Sequence, residues 1–208
     1  HLGKSFLKKN YPKKFKIILS SHPFISPASE IAGREAANFA EKCERNELVL
    51  CLISGGGSAM MAYPKDNIQL SEKMGFINKL LLSGIGEREV NVIRKSLSEI
   101  KGGKLADLFA PAKIVNLIIS DERNHKLSAI ASGPTVLNND DPSPEEIIEK
   151  NMLWNIAPKW IEKVFLNLDK KIIHGHQADI DNFLVGKRED LSNQLKALAL
   201  ENGFDHVH

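Results

Sequence analysis

Unbroken apolar runs, separated by stretches with helical spacing, set the rhythm of this chain. Residues 47–53 and 113–119 are short and almost wholly apolar, the pattern of strands buried on both faces in the middle of a parallel sheet. Residues 15–20 read as a further buried strand, ended by Ser21-His22-Pro23. Ile31, Ala32, Ala36, Phe39 and Ala40 recur at helical spacing, and Ser26 before Pro27 opens a helix over about 27–44. Ser71 caps a helix that runs to about residue 83, where Gly84 supplies a left-handed stop. Another helix covers roughly 87–99 and breaks at Gly102-Gly103. Ser143-Pro144-Glu145-Glu146 opens a further helix. Residues 172–177 look like a connector, 182–186 like a strand, and 189–202 like a helix closed by Gly203.

Strands alternating with helices of this length predict an α/β fold with a doubly wound, mostly parallel, Rossmann-like sheet. In such sheets the ligand lies beyond the carboxyl ends of the strands. Both strong strands run at that end into unusual loops, and this coincidence directs the search for function.

Composition narrows the classes. Twenty-eight Lys and Arg against 26 Asp and Glu leave a net charge of +2, no field for non-specific nucleic acid or membrane binding. Any anion site must therefore be local. The longest apolar stretches are too short to cross a bilayer, and the first residues lack a hydrophobic signal core. Cys43 and Cys51 read as reduced structural thiols of a cytoplasmic protein. The 208 residues suffice for one α/β domain, and the start at His1 rather than Met is expected of a fragment.

The most informative loop is Ser54, Gly55, Gly56, Gly57 and Ser58, directly after a buried strand. Three glycines let backbone N–H groups converge on an anion, and two hydroxyls add donors. A flexible surface turn is the alternative. No Gly-Lys-Ser/Thr closes the loop as in a Walker A sequence. Met60 stands where a dinucleotide fingerprint needs a third small residue, and where a Gly-x-Ser-x-Gly elbow needs glycine. A phosphate cradle is the reading left.

Asn91, Arg94, Lys95 and Lys101 lead into Gly102-Gly103, where backbone can approach a ligand that these cations attract, unless they merely form a solvated helix face. Asp121 ends the second strand, placed to hold Mg²⁺ or orient a hydroxyl, or to cap a helix. Ser132-Gly133-Pro134-Thr135 is a tight turn with two hydroxyls, and His174-x-His176 has no carboxylate or thiol to complete a metal set.

Taken together, these blocks resemble the glycerate 2-kinases of the MOFRL-type family, some of which carry the older label hydroxypyruvate reductase. The resemblance runs from about residue 17 to 203. It rests on His22-Pro23 with Ser29, on Leu52 through Ala59, and on Leu81-Leu82-Ser83-Gly84. It continues through Glu89-x-Asn91-x-Ile93-Arg94-Lys95 to Lys101-Gly102-Gly103-Lys104-Leu105-Ala106, then Ser120-Asp121 and Ile130 through Thr135. The chain departs from the family at Ile25-Ser26, where Pro and Asp are usual, and at Asn124-His125, where Gly-Asp is usual.

Membership implies transfer of the γ-phosphoryl group of ATP to the 2-hydroxyl of D-glycerate, with Mg²⁺, in a cleft between two lobes. Residues 1–208 would be the N-terminal Rossmann-like lobe cut short at both ends, with 172–208 leading toward the second lobe and its functional arginine. In that picture Ser54, Gly55, Gly56, Gly57 and Ser58 hold phosphate, while Arg94, Lys101 and Asp121 are catalytic and Asp121 holds the metal. Asn91, Lys95, Gly102, Gly103, Ser132, Gly133 and Thr135 face the substrate. The family's catalytic lysine lies in a Gly-Lys-Ala segment farther upstream than Gly3-Lys4-Ser5, so it is expected to be missing, and the piece inactive. Alternatives carried forward are an NAD(P)-dependent hydroxypyruvate reductase and a phospholigand-sensing domain without activity.

Overall fold

A computed structural model describes residues 14–65, 68–122, 124–136, 140–166 and 179–204. The Gly3-Lys4-Ser5 segment, the connector at 172–177 and His174-x-His176 lie outside them. The elements in chain order are α1 (Pro27–Ala40), β1 (Leu48–Ile53), α2 (Gly57–Met60), α3 (Leu70–Leu82), α4 (Glu87–Ser96), α5 (Lys104–Phe109) and β2 (Lys113–Ser120). A 3-10 turn (Ile130–Ser132), α6 (Pro144–Lys150), α7 (Ile161–Leu166), β3 (Ile180–Lys187) and α8 (Arg188–Glu201) follow.

The three strands form a parallel sheet in the order β1-β2-β3, so the expected α/β class and parallel pairing hold. Leu48 pairs with Lys113 and Ile53 with Ile118, and Ser120 pairs with Lys187 beyond a register slip at Ile118/Ile119. One sheet face presents Val49, Ile114 and Ile118. The first two pack with Ala37 and Ala40 of α1 and Leu105, Ala106 and Phe109 of α5. A second core joins Phe76, Ile77 and Leu80 of α3 to Val90 and Ile93 of α4 and to buried Ile147, Ile148, Ile161 and Val164.

The opposite sheet face is open among the described residues. Leu50, Leu52, Ile119, Phe183 and Val185 all stand exposed, Leu52 by 74%. The double-sided burial expected of residues 47–53 therefore does not hold here, because no described element covers this face; the central strand β2 is exposed on it too, at Ile119.

Local chemistry explains the boundaries. α1 starts where Pro27 fixes a helical φ and the N–H of Ser26 donates to Ser29 Oγ at 3.0 Å. Ser143 and Glu146 exchange reciprocal side-chain bonds at the start of α6. α4 ends at Ser96, short of the predicted 99, and lysine side chains take carbonyls at and just beyond its end. Lys73 Nζ donates to Leu97 O, and Lys104 Nζ to Lys95 O and Ser98 O, each at 2.6 Å.

Residues 15–20 are not a strand in the structure. A strand needs a ladder partner, and this sheet leaves 15–20 outside its pairing. Phe15, Ile17 and Leu19 are exposed, Lys16 pairs with Glu35, and Ser20 Oγ donates to Ser29 Oγ at 3.0 Å.

Candidate active site at the carboxyl edge of the sheet

Parallel neighbours end on the same side, so β1 delivers residues 54–58 and β2 delivers Asp121 to one edge. They meet closely. A Cβ built on Gly55 would lie 1.7 Å from Asp121 Oδ2, so the loop backbone touches the carboxylate only because Gly55 has no side chain. Gly56 has φ +85°, the left-handed region that glycine occupies without strain, and a Cβ there would sit 3.2 Å from the imidazole of His22. Among the described residues, the backbone N–H groups of Gly55, Gly56, Gly57 and Ser58 have no protein acceptor. Four consecutive free donors on a glycine backbone form a nest suited to an anion.

Two further motif blocks are stitched to this loop. The N–H groups of Gly102, Gly103 and Leu105 donate to the carbonyls of Ser132, Gly133 and Pro134 at 3.0, 2.7 and 3.0 Å. Ser132 Oγ is 2.7 Å from Ser58 Oγ. Lys101 Nζ donates to Ser58 O at 2.6 Å and to Ser58 Oγ at 3.0 Å. Blocks 54–58, 101–104 and 131–134 thus form one assembly. Within it Ala131 and Ser132 hold φ of +52° and +64°, conformations that cost non-glycine residues about 1–3 kcal/mol each and persist only where surroundings impose them.

The predicted cations behave differently from one another. Lys101 is only 2% exposed, and burial, then the charge of Arg94, pull its ammonium down to about 7. Arg94 is partly buried, its pKa is lowered by desolvation, and Nη1 donates to Asn91 Oδ1 at 2.8 Å. The rest of its guanidinium fork has no protein acceptor among the described residues. Lys95 is turned to Asp141 at 3.2 Å, an acid also met by Arg88 and Lys126. Thr135 is fully buried, with Oγ1 donating to Asn116 Oδ1 at 2.8 Å, so its hydroxyl ties the turn to β2 rather than facing a ligand. Asn91 is committed to Arg94, Gly102 and Gly103 to the 132–133 backbone, and Ser132 to Ser58.

No group of three or more His, Cys, Asp or Glu that could cage a metal occurs among the described residues. Asp121, exposed at the strand end, fits the other mode, in which Mg²⁺ is held by one or two carboxylates together with substrate phosphates. Sequence reasoning missed the contact of His22 with Gly56, although both lie in the matched blocks. It also missed Lys73 and Lys104 as carbonyl caps, and Asp141 as the acid that engages Lys95. Residue type carried no signal for these; only the fold brings them together.

The model of a family described as a domain of unknown function, DUF4147, matches residues 4–166. The chain belongs to this family. Curated relatives of this DUF4147 chain include a glycerate 2-kinase of Pyrococcus horikoshii, 36% identical over 196 residues, which cover 92% of this chain and 41% of that protein. A putative hydroxypyruvate reductase of Agrobacterium vitis is 41% identical over 197 residues, covering 93% of this chain and 50% of it. The crystal structure of a glycerate kinase from Thermotoga maritima superposes with a TM-score of 0.79 at 29% identity, over 95% of this chain and 46% of that one. The chain thus spans about half the length of the curated relatives it matches.

Proposed function

We propose that the complete protein containing this DUF4147 chain transfers the γ-phosphoryl group of MgATP to the 2-hydroxyl of D-glycerate, yielding 2-phosphoglycerate and ADP. The observation that carries the reading is the row of free N–H groups over residues 55–58, set against Asp121 at the carboxyl edge. The names of the relatives, glycerate 2-kinase and glycerate kinase, support the substrate class. This chain supplies the phosphate-holding side of a cleft, and a second lobe supplies the other.

Phosphoryl transfer asks a protein for positioning and charge neutralisation more than for covalent chemistry. The hydroxyl oxygen of glycerate forms a bond to the γ-phosphorus while the bond to the β–γ bridging oxygen breaks, ADP leaving with its electron pair and the hydroxyl proton passing to solvent. The 55–58 backbone donors hold phosphate oxygens, and the open fork of Arg94 neutralises phosphate or carboxylate charge. Asp121 would hold Mg²⁺, which when bound spreads the charge of the β and γ oxygens. Among the described residues no helix is long and apolar enough to cross a membrane.

The test is a product assay on the full-length protein with D-glycerate, MgATP and, separately, NADH with hydroxypyruvate. 2-Phosphoglycerate without NADH oxidation is expected. Exclusive 3-phosphoglycerate, or NADH-linked turnover, overturns the proposal. The 208-residue chain alone is expected to bind phosphate ligands without turnover, since positioning from both sides of a cleft supplies much of a kinase rate.

A further inference from the structure

We infer that Lys101 is a positioning residue, one that fixes the glycine loop through Ser58 and Ser132 instead of contacting the bound phosphate. The inference rests on reading residues 54–58 as the anion cradle, but it makes a claim about loop geometry that stands apart from catalysis.

Burial comes first. A side chain 2% exposed lies beneath the loop rather than before it, and Nζ spends its short bonds on Ser58 O and Ser58 Oγ, at 2.6 and 3.0 Å. The bonds then close into a ring. Ser58 Oγ meets Ser132 Oγ at 2.7 Å, and Ser132 O accepts from the N–H of Gly102, the residue next to Lys101. A break at any link frees the start of α2, where the free N–H groups sit, and also the left-handed Ala131-Ser132 pair.

Electrostatics argue that this lysine is kept for something other than stability. It sits among cations: Arg94 lowers its proton affinity, and Lys73 feels the repulsion of Lys101, Lys104 and Arg94 together. Glu99 offsets this at Lys73 and Glu87 at Arg94, while Asp121 and His22 lie against the loop at Gly55 and Gly56. An apolar residue of similar volume would avoid that desolvation and repulsion. What it would not supply is a charge-assisted donor aimed at Ser58 O, where neutral donors bind less strongly. The same positive charge, held at Ser58 at the end of the nest, also favours an anion there.

The experiment uses the 208-residue chain and its Lys101→Met variant, with inorganic sulfate as probe because its charge is constant over the pH range used. Hydrogen exchange is read over residues 54–62 and, as an internal control, over α3 and α4. K101M is expected to speed exchange in 54–62 by about tenfold, leave α3 and α4 unchanged, and weaken sulfate binding by about tenfold. In the parent, sulfate affinity should fall as pH rises through the Lys101 transition near 7, and that component should vanish in K101M. Because His22 and Asp121 are titratable too, the difference between parent and variant is the deciding quantity.

Unchanged loop exchange in K101M overturns the inference. So does weakened sulfate binding with unchanged exchange, which would make Lys101 a direct contact. If the parent binds no sulfate, the cradle reading fails while the exchange data still judge the positioning claim. Should K101M fail to fold, Ser132→Ala, which cuts the ring one bond farther on, is expected to show the same faster exchange over 54–62, and its absence overturns the claim.

Discussion

The carboxylate of Asp121 fills the space that a side chain on Gly55 would need, with Oδ2 1.7 Å and Cγ 2.2 Å from an ideal Cβ position there. Gly55→Ala must therefore push the carboxylate aside or bend the loop. The expected cost is about 1–3 kcal/mol of stability, as for other overpacked sites, with loss of magnesium-dependent nucleotide binding. A urea melt beside calorimetric titration with MgATP checks both. Unaltered MgATP binding in this variant would remove Asp121 from the metal site.

Gly56 is left-handed at φ +85°, so Gly56→Val meets backbone strain as well as His22. The domain should stay folded with a loss of about 1–3 kcal/mol, because little apolar surface surrounds the loop. Phosphate binding should be abolished. Thermal melts and titration with MgATP of the same sample decide whether residues 54–58 are a cradle or a plain turn.

Much of this was legible in advance for a definite reason. β1 and β2 announce themselves as short, nearly unbroken apolar runs, although only one face of each is covered among the described residues, and Ser26-Pro27 and Ser143-Pro144 encode helix starts in two residues each. The glycine loop was readable because a free backbone nest requires residues without Cβ. The roles of Lys95, Lys101 and Thr135 were not readable, since a charged or hydroxyl side chain looks the same whether it faces a ligand, Asp141, Ser58 or Asn116. Residues 15–20 show the same gap, for an apolar run specifies the wish to be covered and not the cover.

Lys101 sets a sign for the pH dependence of stability. Its folded pKa, about 7, lies below the ordinary lysine value of 10.5. Between those values the unfolded chain holds a proton that the folded chain has released, so stability rises with pH over this window. Lys73, also lowered by burial, acts in the same direction. Urea midpoints should increase from pH 7 toward pH 9.5, and K101M should flatten the slope. A midpoint that falls over this range would contradict the burial of these two amines.

Arg94 keeps most of its guanidinium fork open while partly desolvated. Arg94→Ala should weaken sulfate or MgATP binding by about 1.5–3 kcal/mol, the worth of a charge-assisted hydrogen bond, and change stability by less than about 1 kcal/mol. Arg94→Lys should recover only part of the affinity, because a point charge cannot replace the planar fork. Calorimetric titration of the three proteins measures the series, and equal affinities would exclude Arg94 from the anion site.

The bonds from Gly102, Gly103 and Leu105 to residues 132–134, from Lys101 back to Ser58, and between Ser58 and Ser132 join parts of the chain about thirty to seventy-five residues apart. Such contacts close large loops and gain nothing until the intervening elements are in place. The anion cradle therefore has no half-formed version along the folding route: a nascent or partly melted chain cannot hold a phosphate weakly, only not at all. Ligand occupancy then becomes a report of complete folding, and a phosphate compound at about a hundred times its dissociation constant would protect the chain by about 2.7 kcal/mol against unfolding and proteolysis.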